Sequence, residues 1–338
     1  MSLAALSAAI AAGGRRPWAL ERRRADLLAY VLAALGRGAP ISAEQLQALG
    51  GSSPLPAPRR ESLDARAARL ARPQLVPAAG GGSVAIVSVR GLITYDVEYQ
   101  PYAVSTKLLA RIMRGLAADP KVVSIGIVVD SPGGAVTGTG DAADAVFAAR
   151  KTKPCMAIVD PCACSAAYWI ASQASEIVAV PDADVGSIGV FMLHVEISRA
   201  LDKAGIKPTL VHAGEFKTEG NPLEPLTEDA KAFWQKECDA IHADFLKAVA
   251  RGRGVSIATV RARFGQGRVV SARDALDLGM VDRLLPSDHA ATRLQAGPRR
   301  QPRDGSLAAV FRHALAADSS AAADLERRRR LLLGAGRA

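Results

Sequence analysis

Aromatic residues are scarce, 4% of 338, and only four positions are cysteine. Cys155, Cys162, Cys164 and Cys238 contain no C-x-x-C spacing. That excludes a disulfide-dense scaffold and leaves free thiols in a reducing compartment as the simplest reading. The five histidines, His194, His212, His242, His289 and His313, form no H-E-x-x-H or other metal spacing. No glycine-rich loop ends in G-K-[ST], so a Walker-type phosphate site is absent from the pattern. No metal and no cofactor is expected.

Long hydrophobic runs are missing as well. The apolar stretch Leu3 to Ala12 is followed by Arg15 and Arg16 and preceded by no basic residue, the reverse of a secretory signal. Ala25 to Leu35 is interrupted by Asp26 and is too short to span a bilayer. A soluble cytoplasmic protein with no membrane span is expected. Hydrophobic residues make up 49% of the chain, ample for a core, which excludes a disordered or collagen-like polymer.

Acidic residues are few at the two ends. Residues 1–80 carry 11 Arg against 5 acids, and residues 289–338 carry 10 Arg against 4. The central segment, 81–288, is near neutral, with 22 basic and 24 acidic residues, so the net charge of +10 belongs to the flanks. Nucleic acid is therefore not an expected partner, except through the basic termini.

The order of patterns divides the chain in three. Residues 1–81 read as an Arg-rich helical extension, with helices at 18–36, 42–49 and 61–72 and Pro/Gly-rich linkers at 50–60 and 73–82. Residues 82–288 alternate β-branched runs with helical stretches. Strands are expected at 84–89, 122–129, 155–159, 177–180 and 209–212. Helices are expected at 105–116, 139–150, 165–172, 195–204, 228–251, 256–263 and 271–278. This alternation means an α/β fold with a largely parallel sheet. Residues 289–338 form an Ala/Arg-rich tail, helical at 306–317 and 319–333 or partly disordered.

In parallel α/β sheets chemistry gathers in the loops after the carboxyl ends of strands. The loop after 122–129 is Asp130-Ser131-Pro132-Gly133-Gly134, whose amides suit an oxyanion, or simply a strand-to-helix turn. The loop after 155–159 holds Cys162, Cys164 and Ser165. Ser165 stands at a helix start, as a nucleophile or as an ordinary N-cap. No histidine accompanies the two cysteines, which read as packing residues. Asp184 to Val190 includes Ser187. Gly214 to Pro222 includes Lys217, either a solvated charge or, if burial disfavours its ammonium form, a general base.

Four of these elements occur together in order: D-S-P-G-G at 130–134, C-S-A at 164–166, G-S-I-G-V at 186–190 and G-x-x-K-x-x-G-N-P at 214–222. In this the chain resembles the SppA-type (signal peptide peptidase A) serine peptidases, most nearly the phage capsid-assembly or prohead proteases, over about residues 82–286. The resemblance implies a Ser-Lys dyad. Ser165 is the nucleophile, Lys217 the general base, and Ser187 the hydroxyl that orients Lys217. Backbone amides of Gly134, Gly133 and Ala166 would form the oxyanion hole. It also implies a ClpP/crotonase-like spiral of β-β-α units and a homo-oligomer, with helix 228–251 as a contact. The implied function is an endopeptidase that cleaves capsid, portal or scaffold proteins and itself, in the host cytoplasm or within the prohead. Three alternatives stand beside it: a cytoplasmic peptidase of the same type, a crotonase-like acyl-CoA enzyme, and an inactive scaffold protein.

Overall fold

The computed structural model describes residues 73–96, 103–203 and 205–295, together with the backbone of 18–20. The helices expected at 42–49, 61–72, 306–317 and 319–333 lie outside the described residues. The first strand, β1 (Trp18–Leu20), corrects the helix expected over 18–36 at its start, because its backbone is drawn into a sheet by a distant partner. Tertiary pairing outranks local periodicity at such a place.

The sheet begins with β2 (Gln74–Pro77), which runs antiparallel to β3 (Ser83–Arg90). The glycines at 80–82 turn this hairpin, with Gly81 N donating to Ala78 O. Next come β4 (Ile93–Thr94), β5 (Val104–Ser105) and α1 (Thr106–Ala118), then β6 (Val122–Ser131), β7 (Gly133–Ala135) and α2 (Thr139–Thr152). Ser105 caps α1 by accepting from Leu108 N, and Leu109, Ala110, Met113 and Leu116 form its buried stripe. β8 (Cys155–Cys164) leads into α3 (Ala166–Ala171), followed by β9 (Glu176–Ala179), β10 (Asp184–Gly186) and α4 (Ser198–Lys203). The C-terminal part holds α5 (Glu228–Arg253), α6 (Ile257–Arg263), β11 (Val269–Ser271), α7 (Ala272–Asp277), β12 (Arg283–Leu284) and α8 (Ser287–Gln295).

The larger sheet runs β11-β10-β8-β6-β3-β2, with β9 between β8 and β12. β3, β6, β8 and β10 are mutually parallel, and the outer strands β2 and β11 are antiparallel. The central strands are covered on both faces, which is why Val122 to Val129 reads as a continuous apolar run. β8 extends past its expected end at Val159. Its register to β6 jumps from Val129↔Val159 to Ser131↔Ala163, so Asp160–Cys162 bulge before pairing resumes. β1, β7, β4 and β5 make a second, small sheet.

The strand expected at Thr209–His212 is absent. This stretch is irregular and exposed, with Val211 at 95% of its full exposure. β-branched residues without a neighbouring strand leave their backbone groups to water. α4 is also shorter than the helix expected over 195–204; its first residue is Ser198.

α5 is capped by Thr227 and closed by Gly254, yet its 231–244 stretch has no buried residue. Its last turns enter the core, where Phe245 stacks on Trp169 of α3 at 4.5 Å. There Arg253, with its side chain 4% exposed, makes two hydrogen bonds to Asp282, at 3.0 and 2.8 Å, and a third to Gly279 O. Asp282 also accepts from Ile177 N in β9. Removing one member of a buried pair strands the other charge, so Arg253→Ala is expected to cost about 3–5 kcal/mol. Urea unfolding would show a lower midpoint at unchanged slope. A loss below about 1 kcal/mol would mean that water replaces the guanidinium.

Among the described residues no helix is long and apolar enough to cross a membrane, and no group of three or more His, Cys, Asp or Glu side chains is placed to hold a metal.

Candidate active site

Parallel strands bring three of the expected segments to one edge. β8 ends at Cys164 and β10 at Gly186, and these two residues are register partners. Ser165 and Ser187 therefore follow side by side, tied by Ser165 N donating to Gly186 O at 2.7 Å. On the other flank of β8, Ser131 of β6 is the register partner of Ala163, and the chain then runs directly into β7 with Gly133 and Gly134. β7 packs against α3, the helix that begins at Ala166.

Ser165 has the conformation of a strained turn, with φ 56° and ψ −122°. L residues avoid this region at a cost of about 1–3 kcal/mol. Its side chain makes no cap hydrogen bond to α3, which sets aside the ordinary N-cap reading. The residue is 0% exposed and its Oγ is buried without a hydrogen-bond partner. Such a hydroxyl carries an uncompensated desolvation cost of about 1–3 kcal/mol. Strain and an orphaned hydroxyl on one residue are what a site held ready for a reacting partner looks like.

Ser187 is also buried, also at positive φ, 53°, and its N–H donates to Arg268 O at 2.8 Å. Ala166 is buried at the first position of α3, where helix geometry leaves amides without intrahelical partners. Gly133 N donates to Ser131 Oγ at 3.1 Å, and that hydroxyl donates in turn to Gly91 O at 2.6 Å. Ser131 is thus a brace for the turn, a role the sequence reading overlooked. A serine two residues before a glycine in a turn was the available signal. Gly134 must be glycine, since a Cβ there would lie 2.0 Å from Ile93 O of β4.

Lys217 stands apart. It is exposed in a chain of turns, and no hydrogen bond or ion pair joins its ammonium to another described residue. Its loop is nonetheless built. Asn221 donates to Thr218 O and accepts from Leu223 N, closing an Asx turn. A Cβ on Gly220 would sit 2.1 Å from the Trp234 ring, so Trp234 of α5 seats the loop directly on glycine backbone. His194 accompanies Trp234 edge-on and contacts Asn221 O at 3.0 Å. The G-x-x-K-x-x-G-N-P pattern is therefore a folded scaffold whose lysine is the member with no structural task. The structure brings Ser165, Ser187 and the Gly133–Gly134 turn together and leaves Lys217 outside that group.

Burial pushes the Cys155 thiol up to about 12, against the opposing charge of Arg150, so it stays protonated. Burial likewise raises Cys238. Cys162 Sγ donates to Ser131 O at 3.3 Å. His242, on α5, lies beside the backbone of Ile188, the residue after Ser187, and its Nε2 is buried without a hydrogen-bond partner. Burial and Arg261 lower its pKa, with Asp239 opposing, which favours the neutral ring. Nothing in sequence spacing links His242 to Ser187.

Similarity to other proteins decides the family. The model of peptidase family S49 matches residues 148–299, a span that holds Ser165, Ser187 and Lys217. Putative protease MJ0651 of Methanocaldococcus jannaschii is 30% identical over 221 residues, 64% of this chain and 71% of that protein. The chain belongs to peptidase family S49. Capsid assembly protease C of Escherichia phage lambda is 35% identical over 213 residues, 62% of this chain and 48% of its own length. Head-tail preconnector protein GP5 of Enterobacteria phage P21 is 28% identical over 227 residues, 66% and 45% respectively. The S49 chain thus spans about half the length of these phage relatives.

Proposed function

We propose that this S49 chain is a serine endopeptidase with a Ser-Lys dyad that acts on capsid, portal or scaffold proteins during phage head maturation, and on itself. The observation that carries the chemistry is Ser165: a strained, buried hydroxyl with no partner, at the carboxyl edge of a parallel sheet. Ser165 Oγ attacks the scissile carbonyl and Lys217 takes its proton, later returning it to the leaving amine. Water then hydrolyses the acyl-enzyme by the same route. Ser187 orients the lysine. The amides of Gly134 and Ala166 hold the oxyanion. Gly133 serves less directly, because its amide is already given to Ser131. The lambda relative, a capsid assembly protease, and the P21 relative, a head-tail preconnector protein, support capsid-related substrates. The units β3-β4-β5-α1 and β6-β7-α2, each sending one long strand to the large sheet and short ones to the small sheet, support a ClpP/crotonase-like spiral.

A lysine becomes a base when burial disfavours its ammonium form. Lys217 is exposed, and Val211 (95%), Phe216 (67%) and Phe233 (53%), on the same stretch of chain, are exposed apolar groups that a second copy of the chain would cover. Assembly into a homo-oligomer is therefore part of the proposal, with the unburied 231–244 stretch of α5 as a contact. Host cytoplasm or the prohead interior is the corresponding location. An acyl-CoA enzyme would leave the condition of Ser165 without a role.

The direct test is covalent. A fluorophosphonate probe added to the purified full chain is expected to label Ser165, as located by peptide mass mapping. Absence of label on Ser165, with the protein folded, overturns the nucleophile assignment.

A further inference from the structure

We propose that the chain's own residues Trp18–Leu20 are a resident strand on the second edge of β7, one that an extended substrate polypeptide must displace. β7 has two edges. β4 takes one, in parallel, with Ile93 opposite Gly134. β1 takes the other, antiparallel, with Trp18 opposite Ala135, Ala19 opposite Gly134 and Leu20 opposite Gly133. A segment from the far N-terminal part of the chain thus lies on the very turn proposed to hold the oxyanion.

The place matters for three physical reasons. β7 packs against α3, which starts one residue after Ser165, so a peptide laid along β7 runs past the nucleophile. Strand addition recognises main-chain groups rather than side chains, which suits an enzyme that must hold varied polypeptides extended. Ser165 is also 0% exposed, so no carbonyl reaches it until something moves. β1 is held by three residue pairs, a contact weak enough to open locally while the large sheet stays intact.

An occupant on the same chain competes at an effective concentration in the ~mM range. It lowers the fraction of open sites and raises the apparent KM by the inverse of that fraction, leaving kcat unchanged. The competition rests on the peptidase reading above; the strand pairing does not.

The test uses Ala19→Pro with Leu20→Pro in the full chain. Alternate residues donate in an antiparallel ladder, so two consecutive prolines remove a donor whichever phase holds. In a Ser165→Ala background, hydrogen exchange of the Gly134 and Ala135 amides is expected to quicken about tenfold with the prolines. Excess synthetic peptide spanning residues 14–24 is expected to restore the slow rate in the proline variant. Rates that coincide within about twofold overturn the proposal, as does a peptide that protects nothing. With Ser165 intact, the prolines are expected to lower KM for β-casein about tenfold at unchanged kcat; an unchanged KM overturns the competition. If no chain with Ser165 cleaves casein, the peptidase reading falls, while exchange in the Ser165→Ala chain still reads the strand.

Discussion

Ser165→Ala is expected to abolish cleavage of added casein and of the chain itself, by about 10⁴-fold or more, and to leave the protein more stable than the wild type. The two effects have one cause. In the folded chain the hydroxyl is fully buried and unpartnered, so it costs stability without returning a hydrogen bond. Alanine removes that desolvation cost, about 1–3 kcal/mol, while the neighbouring backbone stays as it is. For a chain of 338 residues each kcal/mol raises Tm by about 1–2 °C, which calorimetry resolves. An ordinary packing serine would behave in the opposite way, since its loss would break a bond and leave activity untouched. Cleavage by Ser165→Ala within tenfold of wild type would remove Ser165 from the mechanism. A lower Tm would mean that the hydroxyl has a partner in solution.

Lys217→Ala is expected to lower kcat by about 10³–10⁴-fold with stability nearly unchanged. The stability half follows from placement. Lys217 is exposed, and its loop is held by Asn221, Gly220 and Trp234 rather than by the ammonium. Lys217→Arg is expected to fail equally, because a guanidinium keeps its proton and cannot accept one from Ser165. This separates a proton acceptor from a mere positive charge. An arginine variant that recovers more than about a tenth of wild-type kcat would assign the side chain an electrostatic task instead. Urea midpoints of the three proteins should coincide.

Much of this molecule was legible before its fold was seen. The parallel core strands β3 and β6 are written as β-branched runs and β8 opens on the apolar run Cys155–Val159, because strands covered on both faces have no polar side to display. α1 shows its Ser105 cap and its buried stripe, and α5 its Thr227 cap and closing Gly254. Ser165, Ser187, Gly133 and Gly134 stand out because they follow strands, and loops after parallel strands converge by construction. Their shared edge then appears in the register Cys164↔Gly186 and Ser131↔Ala163.

What stayed hidden depends on partners remote in sequence. β7 is three residues long, and β4 and β5 are two each, too short to carry a period of their own. Residues 209–212 look like a strand and lack a neighbour, while 18–20 look helical and acquire one. The brace from Ser131 to Gly91 spans 40 residues and the contact between α5 and Ile188 spans more.

The sequence by itself determined the class of chemistry: which side chains are available, in which order, after which strands, and that no metal motif stands among them. Only the tertiary structure decided their state. Burial and backbone strain turned Ser165 from one serine among many into an unpartnered hydroxyl. Strand pairing put residues 18–20 across the turn beside it. Among the described residues nothing covers Lys217, which stays exposed. Those three outcomes depend on how closely distant segments approach one another, a quantity that side-chain order along a chain does not contain.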